Sequence, residues 1–400
     1  MPNQLTVLVL AGDVKGQRLI TECKREGCRV FVLTRHALKD EPGWPHEDVD
    51  EFFYMPSLTK KDEVINAVSY LARTQVIDRI VPLDDFDVEI ASALREHLRV
   101  PGMGDTTARN FRDKLAMRMV TAEAGINGPA FVPILNHKAI HDYTQSVPGP
   151  WVLKPRSQAG AAGIKKVHSS EELWRHINQM GDEQSHYLLE RFVPGDIYHV
   201  DAITIDGEVK FVEVSKYGKP PLEIIQGGGI FITSTQARNS KDVKELKELN
   251  QKVLKALHFR RGVTHTEFIK SHADGKFYFL ETAARVGGAY IAEVVEYATG
   301  VNLWTEWAKI EIAGEKLPYQ LPKAKNGYAG ILLCLAKQEW PDLSGYDDPE
   351  VVLKINKKNH AGVILASKDA ARLHELMDNY AVRFAHDFLA AAPQYEKIER

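Results

Sequence analysis

The sequence predicts an N-terminal open parallel α/β domain, then a lid and an antiparallel-sheet core of α+β type, then a small C-terminal α+β domain. Three observations predict it. Strand and helix patterns alternate over residues 5–98, which implies a parallel sheet covered on both faces. From about residue 151 strands dominate, joined by tight turns such as Asp206-Gly207, which implies antiparallel pairing. The tail, about 324–400, returns to strands and ends in one long amphipathic helix. The expected boundaries are 1–110, 111–190, 191–315 and 316–400.

Residues 5–10 are an apolar strand, followed by the turn Gly12-Asp13-Val14-Lys15-Gly16, a helix through Lys24 and a strand at Arg29–Leu33. The turn is not G-x-G-x-x-G, and Thr34-Arg35 rather than an acid ends the second strand, so a dinucleotide site is disfavoured. Helices about 61–73 and 86–98 flank a strand at 79–83. Residues 111–124 read as a helix containing Arg112-Asp113-Lys114, broken by Gly125 and Gly128-Pro129. Strands follow at 151–155 and 163–167, then a helix about 170–180. The segments YLLERFV, HVDAITI and GEVKFVEV are strands, a helix spans 241–257, and 290–310 is a helical cap. The tail carries strands at 328–335, 350–355 and 360–366 and a helix about 369–390 with Ser367 as its N-cap.

Composition excludes several classes. A net charge of −3 over 400 residues offers no basic field for nucleic acid. No apolar run approaches the ~20 residues of a spanning helix, so no membrane role is expected. Three cysteines, Cys23, Cys28 and Cys334, fit neither a disulfide framework nor a zinc site, and a reducing cytoplasm is expected.

The most informative stretch is 263–288, VTHTEFIKSHADGKFYFLETAARVGG. It reads as a hairpin with Glu267 and Glu281 on its two strands and Arg285 just beyond. A two-residue loop at Asp274-Gly275 would put the acids on opposite faces. A three-residue loop, Ala273-Asp274-Gly275, pairs His272 with Lys276 and sets Glu267 against Glu281. The αL-compatible glycine favours the second. Opposed carboxylates repel at about 5 Å between Cβ atoms, which makes sense if Mg²⁺ on nucleotide phosphates lies between them. The plainer alternative is two solvated glutamates.

Lys114 and Lys154 are point charges suited to a polyphosphate. Arg156-Ser157-Gln158-Ala159-Gly160-Ala161-Ala162-Gly163 lies between two strands, and its small residues let backbone N–H groups approach phosphate oxygens. It is not a P-loop. Glu190-Arg191-Phe192-Val193 leaves an apolar strand before Pro194-Gly195, where backbone N–H and C=O groups can meet an adenine edge.

In this order these pieces resemble the ATP-grasp superfamily over about residues 1–312, and the ending E-T-A-A-R-V-G-G resembles its carboxylate–amine ligases more than its biotin carboxylases. The resemblance implies that Lys114 and Lys154 contact ATP phosphates, with the loop Ser157 to Gly163, including Gly160, folding over the γ-phosphate. It implies that Glu190, Arg191, Phe192 and Val193 cradle adenine. Glu267 and Glu281 would bind Mg²⁺, with Mn²⁺ as a substitute, and Arg285 would neutralise the reacting carboxylate or acyl phosphate. Gly287 and Gly288 would admit a substrate carboxylate to backbone N–H groups. Two departures stand out. Ala283 replaces the usual third ligand, asparagine, and Ile197 replaces the usual ribose-binding glutamate, leaving Asp196, His199 or Asp201 for the ribose.

The implied chemistry is ATP-dependent joining of a small carboxylate to an amine. A bicarbonate-dependent carboxylase or a non-catalytic ATP-binding module are the alternatives. His265, Glu213, Lys216 and Tyr217 are candidates to take the amine's proton, and the loop 215–230, with Gly228, is expected to shape the acceptor pocket. Arg238 is a candidate for a second carboxylate. A homodimer through the N-terminal domain is implied by the resemblance alone.

Overall fold

The computed structural model describes residues 4–314 and 318–390; the expected boundary at 315/316 falls outside that range. The chain first lays down β1 (Thr6–Ala11), α1 (Gln17–Arg25), β2 (Arg29–Arg35), β3 (Glu51–Met55), α2 (Lys61–Leu71), β4 (Arg79–Pro82), α3 (Asp85–Leu98) and α4 (Asp105–Arg109). The sheet is parallel throughout, in the order β3-β2-β1-β4. β1 is buried along its whole length, as a strand covered on both faces must be. One face packs on α2 and α3 through Leu8, Leu10, Val64 and Leu94. The strand order reverses between β1 and β4. The crevice at their carboxyl ends is where ligands of open α/β sheets bind.

A small antiparallel sheet follows, in the order β5-β8-β6-β7. Its elements are α5 (Lys114–Glu123), β5 (Phe131–Pro133), α6 (His137–Ser146), β6 (Trp151–Pro155), β7 (Lys165–Val167), α7 (Ser170–Met180) and β8 (Tyr187–Arg191). Arg112 and Asp113 precede α5 instead of lying within it. The Asp113 carboxylate caps the helix by accepting from the Leu115 N–H.

The rest forms one antiparallel sheet, β13-β12-β9-β10-β11-β14-β16-β15. In chain order these are β9 (Gly195–Ile205), β10 (Glu208–Tyr217), α8 (Pro221–Gly227), β11 (Phe231–Thr235), α9 (Lys241–Ala256), β12 (Gly262–Ser271), β13 (Phe277–Ala283), α10 (Ile291–Thr299), α11 (Leu303–Ala313), β14 (Tyr328–Leu335), β15 (Val351–Lys357), β16 (His360–Ser367) and α12 (Ala370–Asp387). The tail strands therefore extend the central sheet through β11–β14 pairing. Gly195 opens β9 where the sequence suggested a strand end, and Asp369, not Ser367, caps α12 by accepting from the Ala371 N–H. The loop expected at 215–230 contains the end of β10 and the helix α8. Val286, Ile291, Trp304 and Trp307, from the segment after β13, pack on Val7, Val9, Leu19 and Ile20. That contact brings the carboxyl edge of the N-terminal sheet to the end of the hairpin.

The hairpin reaches the expected pairing by a different route. Ser271 N–H donates to Lys276 O and Gly275 N–H to Ser271 O, both at 2.9 Å, so the loop is 272–275, one residue longer than expected. Lys270 opposes Phe277 and Phe268 opposes Phe279. A β-bulge then adds Leu280, and beyond it Glu267 opposes Glu281 and His265 opposes Ala283. The extra loop residue and the bulge cancel. On the other face Thr266 and Thr282 share a hydroxyl hydrogen bond of 2.8 Å.

At the head of β9, a Cβ on Gly195 would collide with the Lys270 carbonyl oxygen of β12. Gly195→Ala is expected to lose about 1–3 kcal/mol of stability, read as a lowered Tm and denaturant midpoint.

Candidate active site

Period-2 alternation turns Ile197 of β9, His265, Glu267 and Ile269 of β12, and Glu281 and Ala283 of β13 into one cavity of about 760 Å³. The small sheet contributes Val152, Lys154 and Glu190 to the same wall, and the loop between β6 and β7 contributes residues 158–162 and Ile164. Asp85 reaches in from the first turn of α3, beside Arg285.

The two opposed acids are each occupied by protein partners. Tyr217 OH donates to Glu267 Oε1 at 2.9 Å, and His265 Nε2 lies 3.5 Å from the same oxygen. Lys114 Nζ lies 3.0 Å from Glu281 Oε2 and donates to the Gln158 carbonyl at 2.7 Å. Burial alone would raise the Glu281 carboxyl; the Lys114 and Lys154 charges override it and hold the group below the usual range. Two carboxylates on one face, with hard oxygen donors and no competing thiol, suit Mg²⁺.

Lys154 and Glu190 form a buried cluster with Arg118. Lys154 Nζ lies 2.5 Å from Glu190 Oε2, and Arg118 Nε lies 2.6 Å from Oε1, close as charges but out of line for a hydrogen bond. Burial pushes Lys154 down to about 8 although the Glu190 charge opposes that shift. The Glu190 carboxylate is thus taken up by cations and does not face a base. Arg191 N–H donates to Ala130 O and Phe192 N–H to Pro150 O, at 2.8 and 3.0 Å. Among the described residues, the Val193 N–H is the hinge amide of 191–193 left without a backbone partner.

The loop over the cavity is tied at its stem. Arg156 pairs with Asp113, Lys114 N–H donates to Arg156 O at 2.9 Å, and Arg112 donates to Ser157 O at 2.6 Å. Gly160, Ala161 and Gly163 have φ of 60°, 57° and 70°, and left-handed residues in succession turn amides toward one point. Ser157 and Gly163 lie at the loop's ends, outside the cavity wall, whereas Gly160 lines it.

Several expected site residues fall elsewhere. His199 is fully buried with both ring nitrogens engaged, Nδ1 to Asp201 and Nε2 to Thr233 Oγ1, each at 2.7 Å. It cannot reach a ribose, and neither can the buried Asp201. Lys216 follows strand alternation to the face opposite Tyr217, where it pairs with Asp196 at 2.8 Å. Gly287 backs onto His265 and Asp201, while Gly288 lines the cavity. Gly228 follows the last residue of α8 with a φ of 72°, outside the wall. Arg238 clasps Glu213 through Nε and Nη2 at 3.0 and 2.9 Å, so neither is open to substrate; burial pushes Glu213 up to about 7.

His265 Nδ1 meets Asp201 Oδ1 at 2.9 Å. Burial would lower the imidazole, but the Asp201 charge dominates and holds it up at about 9. That makes it a cation near neutrality, which opposes the proton-acceptor role the sequence offered. His199, Asp201 and His265 are close enough together for a metal ion. Their contacts are mutual hydrogen bonds, however, and Asp201 spends both oxygens on them.

Arg285 Nε and Nη2 both donate to Asp85 Oδ2, at 2.9 and 2.5 Å, and Nη1 donates to Val286 O. Burial would lower the guanidinium; Asp85 overrides it and raises the group further. Sequence reasoning missed Asp85, Arg118 and the Asp201–His265 pair. No linear spacing connects residues 85 and 285, or 118 and 280.

A sheet pair closing on opposed acids, buried lysines and a small-residue loop is the arrangement that the resemblance to ATP-grasp proteins implies. Residues 147–293 match the family model described as ATP-grasp domain. Among curated relatives, an L-arginine-specific L-amino acid ligase of Bacillus subtilis is 24% identical over 376 residues, covering 88% of this chain and 87% of its own. Among solved structures, an L-amino acid ligase from Bacillus licheniformis superposes with TM-score 0.79 at 16% identity, covering 98% of this chain and 100% of its own. An ADP complex of N5-carboxyaminoimidazole synthetase from Staphylococcus aureus reaches 0.72 at 17% identity, covering 94% and 97%. At such identities the structures show the fold alone.

Two outcomes follow from the charges. ATP affinity is expected to fall as pH rises through about 8, where free Lys154 loses its proton; isothermal titration across pH 7–9.5 checks this, and Lys154→Arg should flatten the decline. Asp85→Asn should lower kcat about tenfold or more, ~1.4 kcal/mol, with ATP affinity nearly unchanged, because it loosens Arg285 rather than the lysines.

Proposed function

We propose that this chain is an ATP-dependent carboxylate–amine ligase that joins an amino acid, or another small carboxylate, to an amine and releases ADP and phosphate. The observation that carries the reading is the pairing of Glu267 with Glu281 on the cavity face, with Lys114 at one acid and Arg285 beside them. The amino-acid ligases among its relatives support the substrate class.

In this reading a substrate carboxylate oxygen attacks the γ-phosphorus of ATP, and the bond to the β-phosphate oxygen breaks. The acyl phosphate then takes the amine nitrogen at its acyl carbon, the nitrogen gives up a proton, and phosphate leaves. Such transfer needs in-line positioning and charge neutralisation more than a protein nucleophile. Lys114 and Lys154 bind the phosphates, and the Val193 N–H meets the adenine edge. Residues 158–162 cover the reacting groups and keep water from the acyl phosphate. Arg285, held by Asp85, presents its remaining N–H groups to the carboxylate and to the leaving phosphate. Glu267 and Glu281 would hold Mg²⁺, or Mn²⁺ in its place, which supplies neutralisation of the phosphate charge when bound. Three free, buried cysteines fit a reducing cytoplasm. Among the described residues no helix is long and apolar enough to cross a membrane.

The test is ADP release measured against a panel of amino acids, singly and in pairs, with mass spectrometry for a new amide. Amino-acid-dependent ADP with an amide supports the reading; bicarbonate-dependent ADP, or ATP binding without turnover, contradicts it. Glu267→Gln and Glu281→Gln should each remain folded and lose about a hundredfold or more in turnover, ~2.7 kcal/mol. Full activity of both at saturating Mg²⁺ would remove the metal assignment.

A further inference from the structure

Arg118 is among the most deeply buried large side chains, at 1% exposed, and nothing in the chemistry above calls for it. It lies one turn after Lys114 on α5 and touches three elements at once. Nε sits against Glu190 of β8 at 2.6 Å. Nη2 donates to the carbonyl oxygen of Leu280 on β13. The guanidinium carbon stands 5.5 Å from the centroid of the Phe279 ring.

Leu280 is the extra residue of the bulge. A bulge takes its residue out of the strand ladder, and a part-buried carbonyl so released is left to find another donor. Arg118 is that donor. The neighbouring Phe279 N–H donates to Asn127 O at 2.8 Å, so α5 and the segment after it grip β13 at the bulge twice. The register set by the 272–275 loop, continued without a bulge, would place Leu280 opposite Glu267 and turn Glu281 to the face of Thr266.

We propose that Arg118 is a positioning residue that pins the Leu280 bulge and thereby turns Glu281 toward Glu267. Through its contact with Glu190 it also holds the carboxylate against which Lys154 rests. The role needs a planar guanidinium, with Nη2 on a carbonyl and Nε set as a charge against a carboxylate. A lysine has a single terminal nitrogen and cannot span both. The proposal rests on the reading of Glu267 and Glu281 as the metal seat.

The test is Mn²⁺ binding measured by EPR with adenylyl imidodiphosphate present, beside amide hydrogen exchange at residues 279–281. Wild type, Arg118→Met, Arg118→Lys and Ile126→Ala are compared. Ile126 packs in the same cluster as Phe279 but makes no contact with the bulge carbonyl through hydrogen bonds, so its variant controls for lost stability. Arg118→Met is expected to weaken Mn²⁺ about tenfold or more and to speed exchange at the bulge; Arg118→Lys should fall between it and wild type. Ile126→Ala should lower Tm with Mn²⁺ affinity within about twofold of wild type. Equal Mn²⁺ loss in Arg118→Met and Ile126→Ala overturns the proposal. If Arg118→Met does not fold, Arg118→Lys decides, and wild-type affinity and exchange in it overturn the proposal. Absence of Mn²⁺ binding in the wild-type ternary complex removes the metal seat itself, and the proposal with it, before any variant is considered.

Discussion

Glu267 and Glu281 face each other across β12 and β13, and the chemistry proposed for the cavity depends on that confrontation. Like charges directly opposed on a sheet are unfavourable, so their position has to be supported from outside the pair. Tyr217 and His265 approach one acid, and Lys114 reaches the other from a different sheet's neighbourhood. In the proposed reading a divalent ion would replace these partners.

Charge in the neighbouring cluster points the same way. Arg118, Lys154 and Lys114 are three buried or nearly buried cations, set against Glu190 and Glu281. The surplus is positive; burial is the main cause of the depressed Lys154, and the Arg118 charge adds to it. Breaking such a cluster leaves an uncompensated buried charge and is costly. Supplying an anion relieves it. In the proposed reading a polyphosphate would bring that anion to the lysines, and Arg285, paired with Asp85, lines the same cavity.

Much of this was legible in the sequence, and the limits were physical. Period-2 patterning placed β9, β10, β12 and β13 well, and turn chemistry singled out both acids, whereas the roles of both lysines, Arg285 and the small-residue loop came from the family resemblance. The hairpin shows how a correct pairing can follow from a wrong turn: Ala273-Asp274-Gly275 supplied an αL glycine, but His272 joined the loop and Leu280 compensated in a bulge that no local signal announces. Short elements such as β3, β11 and α8 escaped because their stability comes from tertiary packing. Side-chain direction was the other limit. Lys216 lies one residue from the cavity-lining Tyr217 and points away, and His199 lies two residues from Ile197 yet is sealed by Asp201 and Thr233. Partners distant in sequence, Asp85 for Arg285 and Arg118 for Leu280, exist only after folding.

The most direct measurement is anomalous diffraction at the manganese edge from crystals grown with Mn²⁺ and adenylyl imidodiphosphate. The expected result is a peak within coordination distance of both carboxylates, about 2.0–2.6 Å, with Lys114 displaced from Glu281 toward the phosphates. A peak at the His199–Asp201–His265 group instead, or an ordered nucleotide with Glu281 still on Lys114 and Glu267 still on Tyr217, would contradict the account.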